Sequence, residues 1–185
     1  MVGHRDPRES RGLPTGEWLA VHAHGPVVVV RGRRLPGPGR AVVLGLDTLA
    51  PSAAAIDHAR RAAVAWGAAL VVVTATGADR VSEDPDTGAV RPHATSSPAF
   101  EQTRTAQVRH AVHAAMHSPA SRHELAVVVG HAPAARVLLE ESSGAGLVVL
   151  GCRSRGRVRG AVLGSVSAAV LRNSTVTVAV VHDRA

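Results

Sequence analysis

From residue 41 onward, short runs of Val and Leu alternate with alanine-rich stretches long enough for a helix, and few folds accommodate that alternation. The runs AVVLGL, ALVVV and LVVL carry no polar face to turn to water, so they read as strands covered on both sides. The pattern predicts strands at 41–46, 69–74, 124–129, 146–150 and 176–182, with helices at 52–66, 99–117, 134–142 and 165–172. Strand–helix–strand units of this length close as right-handed crossovers. The expected fold class is therefore α/β: a doubly wound five-stranded parallel sheet, strand order 3-2-1-4-5, plus an N-terminal helix-strand remnant. Val43, Leu44, Val72, Val73, Val127, Val148 and Val149 should then be almost fully buried, and Trp66 should pack beneath the first helix of that domain.

The 185 residues are enough for one filled domain and an appendage. Aromatic residues make up 2%, so the core must come from Val, Leu and Ala. All 21 basic residues are Arg, and the net charge of +7 is spread along the chain; with almost no rings for base stacking, no nucleic-acid partner is expected. The single Cys152 excludes an intrachain disulfide framework and suits a reducing compartment. The start MVGHRDPRES is polar, and no apolar run reaches the length of a membrane span, so a cytoplasmic location and no membrane partner are expected. Residues 76–98, rich in Asp, Gly, Pro, Ser and Thr, read as a long surface loop with a leaning toward disorder.

The first forty residues resemble the end of the chain. Setting VVVV at 27–30 against VAVV at 178–181 places Leu19 on Val170 and Ala20 on Leu171, an offset of 151 residues. One reading is a tandem repeat whose first copy keeps only its last helix and strand, which divides the chain into 1–40 and 41–185. The other is that two short Val-rich strands look alike by chance.

Ligands of doubly wound sheets bind at the carboxyl ends of strands, where strand order reverses. Gly45-Leu46-Asp47 ends the first strand and Gly151-Cys152-Arg153-Ser154 follows the fourth, so the predicted order makes these loops neighbours. The second loop, GCRSRGRVRGAVLGSVSAAVL, enters a helix at Gly164-Ser165. Glycines let backbone N–H groups approach an anion, a helix start offers free donors, and Arg153, Arg155, Arg157 and Arg159 add charge. A flexible Gly/Arg loop with Ser165 as N-cap fits the same spacing. The P-loop pattern fails, since Arg157-Val158 follows Gly156, and no G-x-G-x-x-G is present.

For other chemistry the residues offer little. His110, His113 and His117 fall opposite a stripe of Val108, Ala111, Val112 and Ala115, so they face solvent and no metal site is expected. Cys152 reads as a small filler or a redox thiol. Asp47 with His131 is the one conceivable acid/base pair, and no nucleophile elbow or carboxylate dyad accompanies it.

The stretch VVLGCRSRGRVRGAVLGSVSAAVLRNSTVTVAVV resembles the C-terminal signature of the universal stress protein family, whose ATP-binding members carry Gly-x2-Gly-x9-Gly-Ser/Thr. VVLGLDTLAPSAAAIDHARRAAVAWGAALVVVTA and VVVGHAPAARVLLEESSGAGLVVLG extend the likeness to about residues 41–182. The resemblance implies that Gly151, Gly164 and Ser165, with Val166 following, bind phosphate, and that Ser154 stands in place of the middle glycine. It also implies that Asp47, preceded by Gly45, reaches the ribose, that Ala75 meets the adenine edge, and that Gly130 and His131 lie near the same rim, with Arg153 adding charge. The implied function is a stress-response regulatory module binding ATP, with Mg as an optional companion and at most slow ATP hydrolysis. A dimerisation or interaction module that has lost the nucleotide is the alternative. In this family final strands commonly pair antiparallel across a twofold axis. The resemblance therefore implies a homodimer through the fifth strand or the N-terminal strand, with 27–31 pairing antiparallel to 176–182 within one chain or between two.

Overall fold

The computed structural model describes residues 2–3, 15–31, 37, 39–47, 51–75, 82–83, 90–91, 98–115, 125–152 and 163–183. Nine strands and five helices lie among them: β1 (Val2–Gly3), α1 (Thr15–His22), β2 (Val27–Val30), β3 (Val42–Gly45), α2 (Ala53–Trp66), β4 (Leu70–Ala75), β5 (Ser82–Glu83), β6 (Val90–Arg91), α3 (Pro98–Ala115), β7 (Leu125–Gly130), α4 (Ala134–Glu141), β8 (Leu147–Cys152), α5 (Ser165–Asn173) and β9 (Val178–His182).

The sheet differs from the five-stranded, all-parallel one expected. It has seven strands in the order β1-β2-β9-β8-β3-β4-β7. The run from β9 to β7 is parallel throughout. β2 lies antiparallel to β9, pairing Val27 with Val180 and Val29 with Val178, and β1 adds parallel to β2. The N-terminal segment joins the sheet because β9 would otherwise leave a row of unpaired backbone groups at an edge. The pairing expected for 27–31 is thus made within one chain, and Arg31 lies just past the strand.

Alternate residues of each strand feed two cores, as a period of two requires. On one face Val42, Leu44, Val72, Val149, Ala179 and Val181 meet α2 and α3 through Ile56, Ala59, Val108 and Val112, with Trp66 packed against them. On the other, Val43, Val73, Val148, Val178 and Val180 meet α1, α4 and α5 through Ala20, Leu138, Val170 and Leu171. Val43, Leu44, Val72, Val73, Val148 and Val149 are buried as expected. Val127 is only half-buried, a correction whose cause is position: β7 is an edge strand, paired on one side by β4 alone among the described residues. Of 76–98, the described part includes a short antiparallel pair, β5 with β6, where only irregular loop was expected.

Helix α2 shows how local sequence sets the ends. The Ser52 hydroxyl accepts from the Ala55 amide at one end, and Gly67, at φ 57°, takes the left-handed conformation that closes the other. In α3, Val108 and Val112 are buried and His110 is exposed; the side chain of His113 and all of His117 lie outside what is described.

Candidate functional site

Sheet order decides which strand ends become neighbours. The chain passes from β3 to β4 on one side, while β8 and β9 fill the other, so order reverses between β3 and β8. Register aligns Gly45 with Leu150 across one boundary and with Val73 across the other, and the Leu46 amide prolongs β3 by donating to the Val73 carbonyl at 2.9 Å. Ala75 pairs with Gly130, and Gly151 with Val181. Gly45, Asp47, Ala75, Gly130 and Gly151 therefore share one carboxyl rim, with Asp47 and His131 exposed on it. Arg153, Ser154, Arg155, Arg157 and Arg159 lie outside the described residues.

The rim glycines differ in what requires them. A Cβ on Gly130 would lie 2.4 Å from Val137, one on Gly45 would lie 2.7 Å from Leu150, and one on Gly151 would lie 2.8 Å from Ser52. Gly130 and Gly151 are held by packing against the stem of Val137 on α4 and of Ser52 before α2, whereas Gly45 faces only the ends of the Leu150 and Leu138 side chains. At Gly164 a Cβ would meet nothing within 4 Å, and its φ of −63° is open to any residue. Among the described residues, no packing reason for glycine exists there.

Helices α2, α4 and α5 start near this rim, and the N-termini of α2 and α5 are treated differently. At α2 the Asp183 carboxylate accepts from the Ser52 hydroxyl at 2.7 Å and from the Ala54 amide at 3.3 Å. The protein's own carboxylate thus answers the positive end of α2. At α5 the N-cap is Gly164, with no side-chain hydrogen bond, which corrects the reading of Ser165 as N-cap: Ser165 is the first helical residue and is exposed. Val166 follows, partly buried against the second core.

Cys152 is buried, and burial, with the nearby Asp183 charge, pushes its thiol above the usual range. A thiol held protonated is a filler, not a redox centre. No group of three or more metal-ligating side chains occurs among the described residues, and no helix among them is long and apolar enough to cross a membrane.

Sequence reasoning missed the residues that tie the N-terminal segment to α5 and β9 and the end of β9 to α2. Glu17, almost fully buried in α1, faces Arg172 of α5 at 3.5 Å. The Arg31 guanidinium donates to the Leu171 carbonyl, and burial lowers its affinity for a proton, partly offset by Glu17. His182 and Asp183 close β9 with contacts to α1 and α2. Ser52 had a local signal, a serine just before an apolar helix; the others touch partners more than a hundred residues away and had none.

No curated protein matches the chain. Among solved structures, a putative universal stress protein from Pseudomonas aeruginosa UCBPP-PA14 aligns at 20% identity and TM-score 0.56, covering 85% of this chain and 52% of its own. This chain thus spans about half the length of that relative. UspA from Lactobacillus plantarum aligns at 16% identity and TM-score 0.51, covering 78% of this chain and 99% of its own. A universal stress protein solved in complex with cAMP aligns at 29% identity and TM-score 0.47, over 78% of this chain and 97% of its own. The first two likenesses speak to fold. Residues 39–182, most of the chain, match the model of the Universal stress protein family, and the chain belongs to that family.

Proposed function

We propose that this chain is a stress-response regulatory module that binds an adenine nucleotide, ATP, across the carboxyl rim, with its phosphates against the start of α5. One observation carries the reading: among the described residues, no packing contact requires glycine at Gly164, nor does its backbone angle, and the helix it starts has no side-chain cap. The first-turn N–H groups, which lack a side-chain cap among the described residues, and the positive end of the helix suit an anion. A Cβ at Gly164 would occupy the space a phosphate oxygen needs. Gly151 would lie beneath the phosphates, with Ser154 and Arg153 beside them, Asp47 at the ribose and Ala75 at the adenine edge. The α2 N-terminus is already answered by Asp183, while α4 and α5 start with no side-chain cap, and α5 is the one that follows the loop bearing the motif residues.

The test is nucleotide content and affinity. Protein purified without added nucleotide is denatured, the released small molecules are identified by absorbance and mass, and ATP binding is measured by calorimetry with and without magnesium. An adenine nucleotide in the extract, or measurable ATP binding, supports the reading. Neither would favour the second reading, an interaction module that has lost its ligand, which the Ser154 replacement of the motif glycine favours.

Residues 1–40 are read as the last helix and strand of a preceding copy. Both α1–β2 and α5–β9 run helix to strand, and the two strands pair antiparallel, as related copies would. Since β2 already fills the edge of β9, a homodimer would form through exchange of β2 or through the outer side of the N-terminal strands. The buried lone thiol agrees with a reducing, cytoplasmic setting.

A further inference from the structure

The contacts between α1–β2 and α5–β9 come in exchangeable pairs. The offset of 151 residues carries Ala20 onto Leu171, Val28 onto Ala179 and Arg31 onto His182. The Arg31 guanidinium donates to the Leu171 carbonyl, and the shifted partners meet the other way round, with His182 Nε2 2.8 Å from the Ala20 oxygen. Strand register obeys the same exchange. Val27 opposite Val180 becomes Val178 opposite Val29, and Val28 opposite Ala179 maps onto itself. Units that trade places in this way are related by a local twofold axis, here passing between Val28 and Ala179. Ala20, Val27 and Val29 enter the same core as Leu171, Val178 and Val180. The α5–β9 face is thus a seat for a helix–strand unit, and a second copy's α5–β9, with the same helix-to-strand order, competes with α1–β2 for it.

One contact breaks the exchange. Glu17, almost fully buried in α1, faces Arg172 of α5 at 3.5 Å, and its charge also attracts Arg31. The offset carries Glu17 onto Ala168 and Val21 onto Arg172. A second α5–β9 in the same seat would therefore set Arg172 against Ala168, and α5 carries no acidic residue to replace Glu17. Glu17, for its part, is matched only in the seat, because a buried carboxylate that loses its cation is left uncompensated.

We infer that Glu17 and Arg172 are specificity-determining residues, which make the α5–β9 face select an α1–β2 unit over a second copy's α5–β9. The shape of the seat admits both; the charge pair admits one. The occupant is the chain's own segment, since β2 is already paired to β9. The selection holds whether the likeness of the two units is descent or chance, and whether or not a nucleotide binds.

Position 179, on the axis, supplies the assay. Where two copies pair α5–β9 to α5–β9, residue 179 of one stands opposite residue 179 of the other, so in the full chain carrying Ala179→Cys mild oxidation links them, and mass mapping identifies the 179–179 disulfide. Without a further change this species should be scarce. Adding Arg172→Ala should lower amide-exchange protection of residues 15–30 by about tenfold, the pair being buried on the Glu17 side alone. The 179–179 link should rise by about the same factor, because the seat is open that much more often. Arg172→Lys keeps the charge and should leave both readouts near those of Ala179→Cys alone. An abundant 179–179 link without any change at Arg172 overturns the inference, as do equal protection and linkage in Arg172→Ala. A fall in protection without the new link means that Arg172 merely stabilises the segment, and overturns it too. Should Ala179→Cys fail to fold, sedimentation of Arg172→Ala in the otherwise unaltered chain reads the same competition. New self-association supports the selection, and sedimentation equal to that of the unaltered chain overturns it.

Discussion

Gly130→Ala tests whether the rim glycines are there for packing. Gly130 is the last residue of β7, and an added Cβ would lie 2.4 and 2.5 Å from the two γ-carbons of Val137 and 3.0 Å from its Cβ. Carbon atoms in real contact keep about 3.5–4.0 Å, so the overlap exceeds what a small shift absorbs. Val137 cannot swing aside, because it is β-branched, held on α4 and only 5% exposed. Either α4 or the end of β7 must move, and overpacking of this kind costs about 1–3 kcal/mol. For a chain of this size each kcal/mol is worth about 2–4 °C, so Gly130→Ala should melt about 2–12 °C below the parent in scanning calorimetry. Gly164→Ala is the control: with nothing among the described residues within 4 Å of the added Cβ, its stability should change by less than about 0.5 kcal/mol. Adding Val137→Ala to Gly130→Ala vacates the volume the new methyl needs, so the double variant should be more stable than the sum of the singles by about 0.5–3 kcal/mol. Parental melting of Gly130→Ala, or strict additivity in the double variant, would refute the packing argument.

Gly164→Val should abolish ATP binding in calorimetry while leaving thermal unfolding near that of the parent, whereas Ser154→Gly should bind equally or more tightly; a loss of affinity in Ser154→Gly would make the hydroxyl a working ligand. Deleting residues 1–32 uncovers the edge of β9 and takes Ala20 and Gly25 away from His182, so sedimentation should reveal a changed oligomeric state or lost solubility; unchanged behaviour would mean that the segment contributes nothing. Burial, with Arg61 next and Asp57 opposing, holds His58 below the usual imidazole range. The folded chain then binds fewer protons than the unfolded one, so this contribution is full above about pH 6.5 and is lost as pH falls below it; urea titrations should find a flatter acid limb in His58→Gln. Iodoacetamide should label Cys152 slowly in the folded chain and at the rate of a free thiol once the chain is unfolded, and rapid labelling when folded would contradict its burial.

The local pattern alone determined most of the domain. Apolar runs too short for helices and too apolar for surface strands placed β3, β4, β7, β8 and β9 within two residues of their observed starts and ends, since burial on both faces leaves no polar positions to blur the period. Alanine-rich stretches between them gave α2 through α5 with similar bounds, and the crossover rule set the strands of residues 42–182 side by side as β7-β4-β3-β8-β9. The start of α5 at Ser165 was legible because helix starts are local properties. Other features depended on what each position faced across the fold, and only tertiary structure decided them. Val127 looks as apolar as Val72, yet β7 is an edge and β4 is not. Gly45, Gly130 and Gly151 read as ligand glycines, yet side chains pack closely over each of them, while among the described residues nothing packs over Gly164. Likewise, nothing near His182 in the chain hints at two carbonyls, because Ala20 and Gly25 are 162 and 157 residues away and reach it only once β2 has paired with β9.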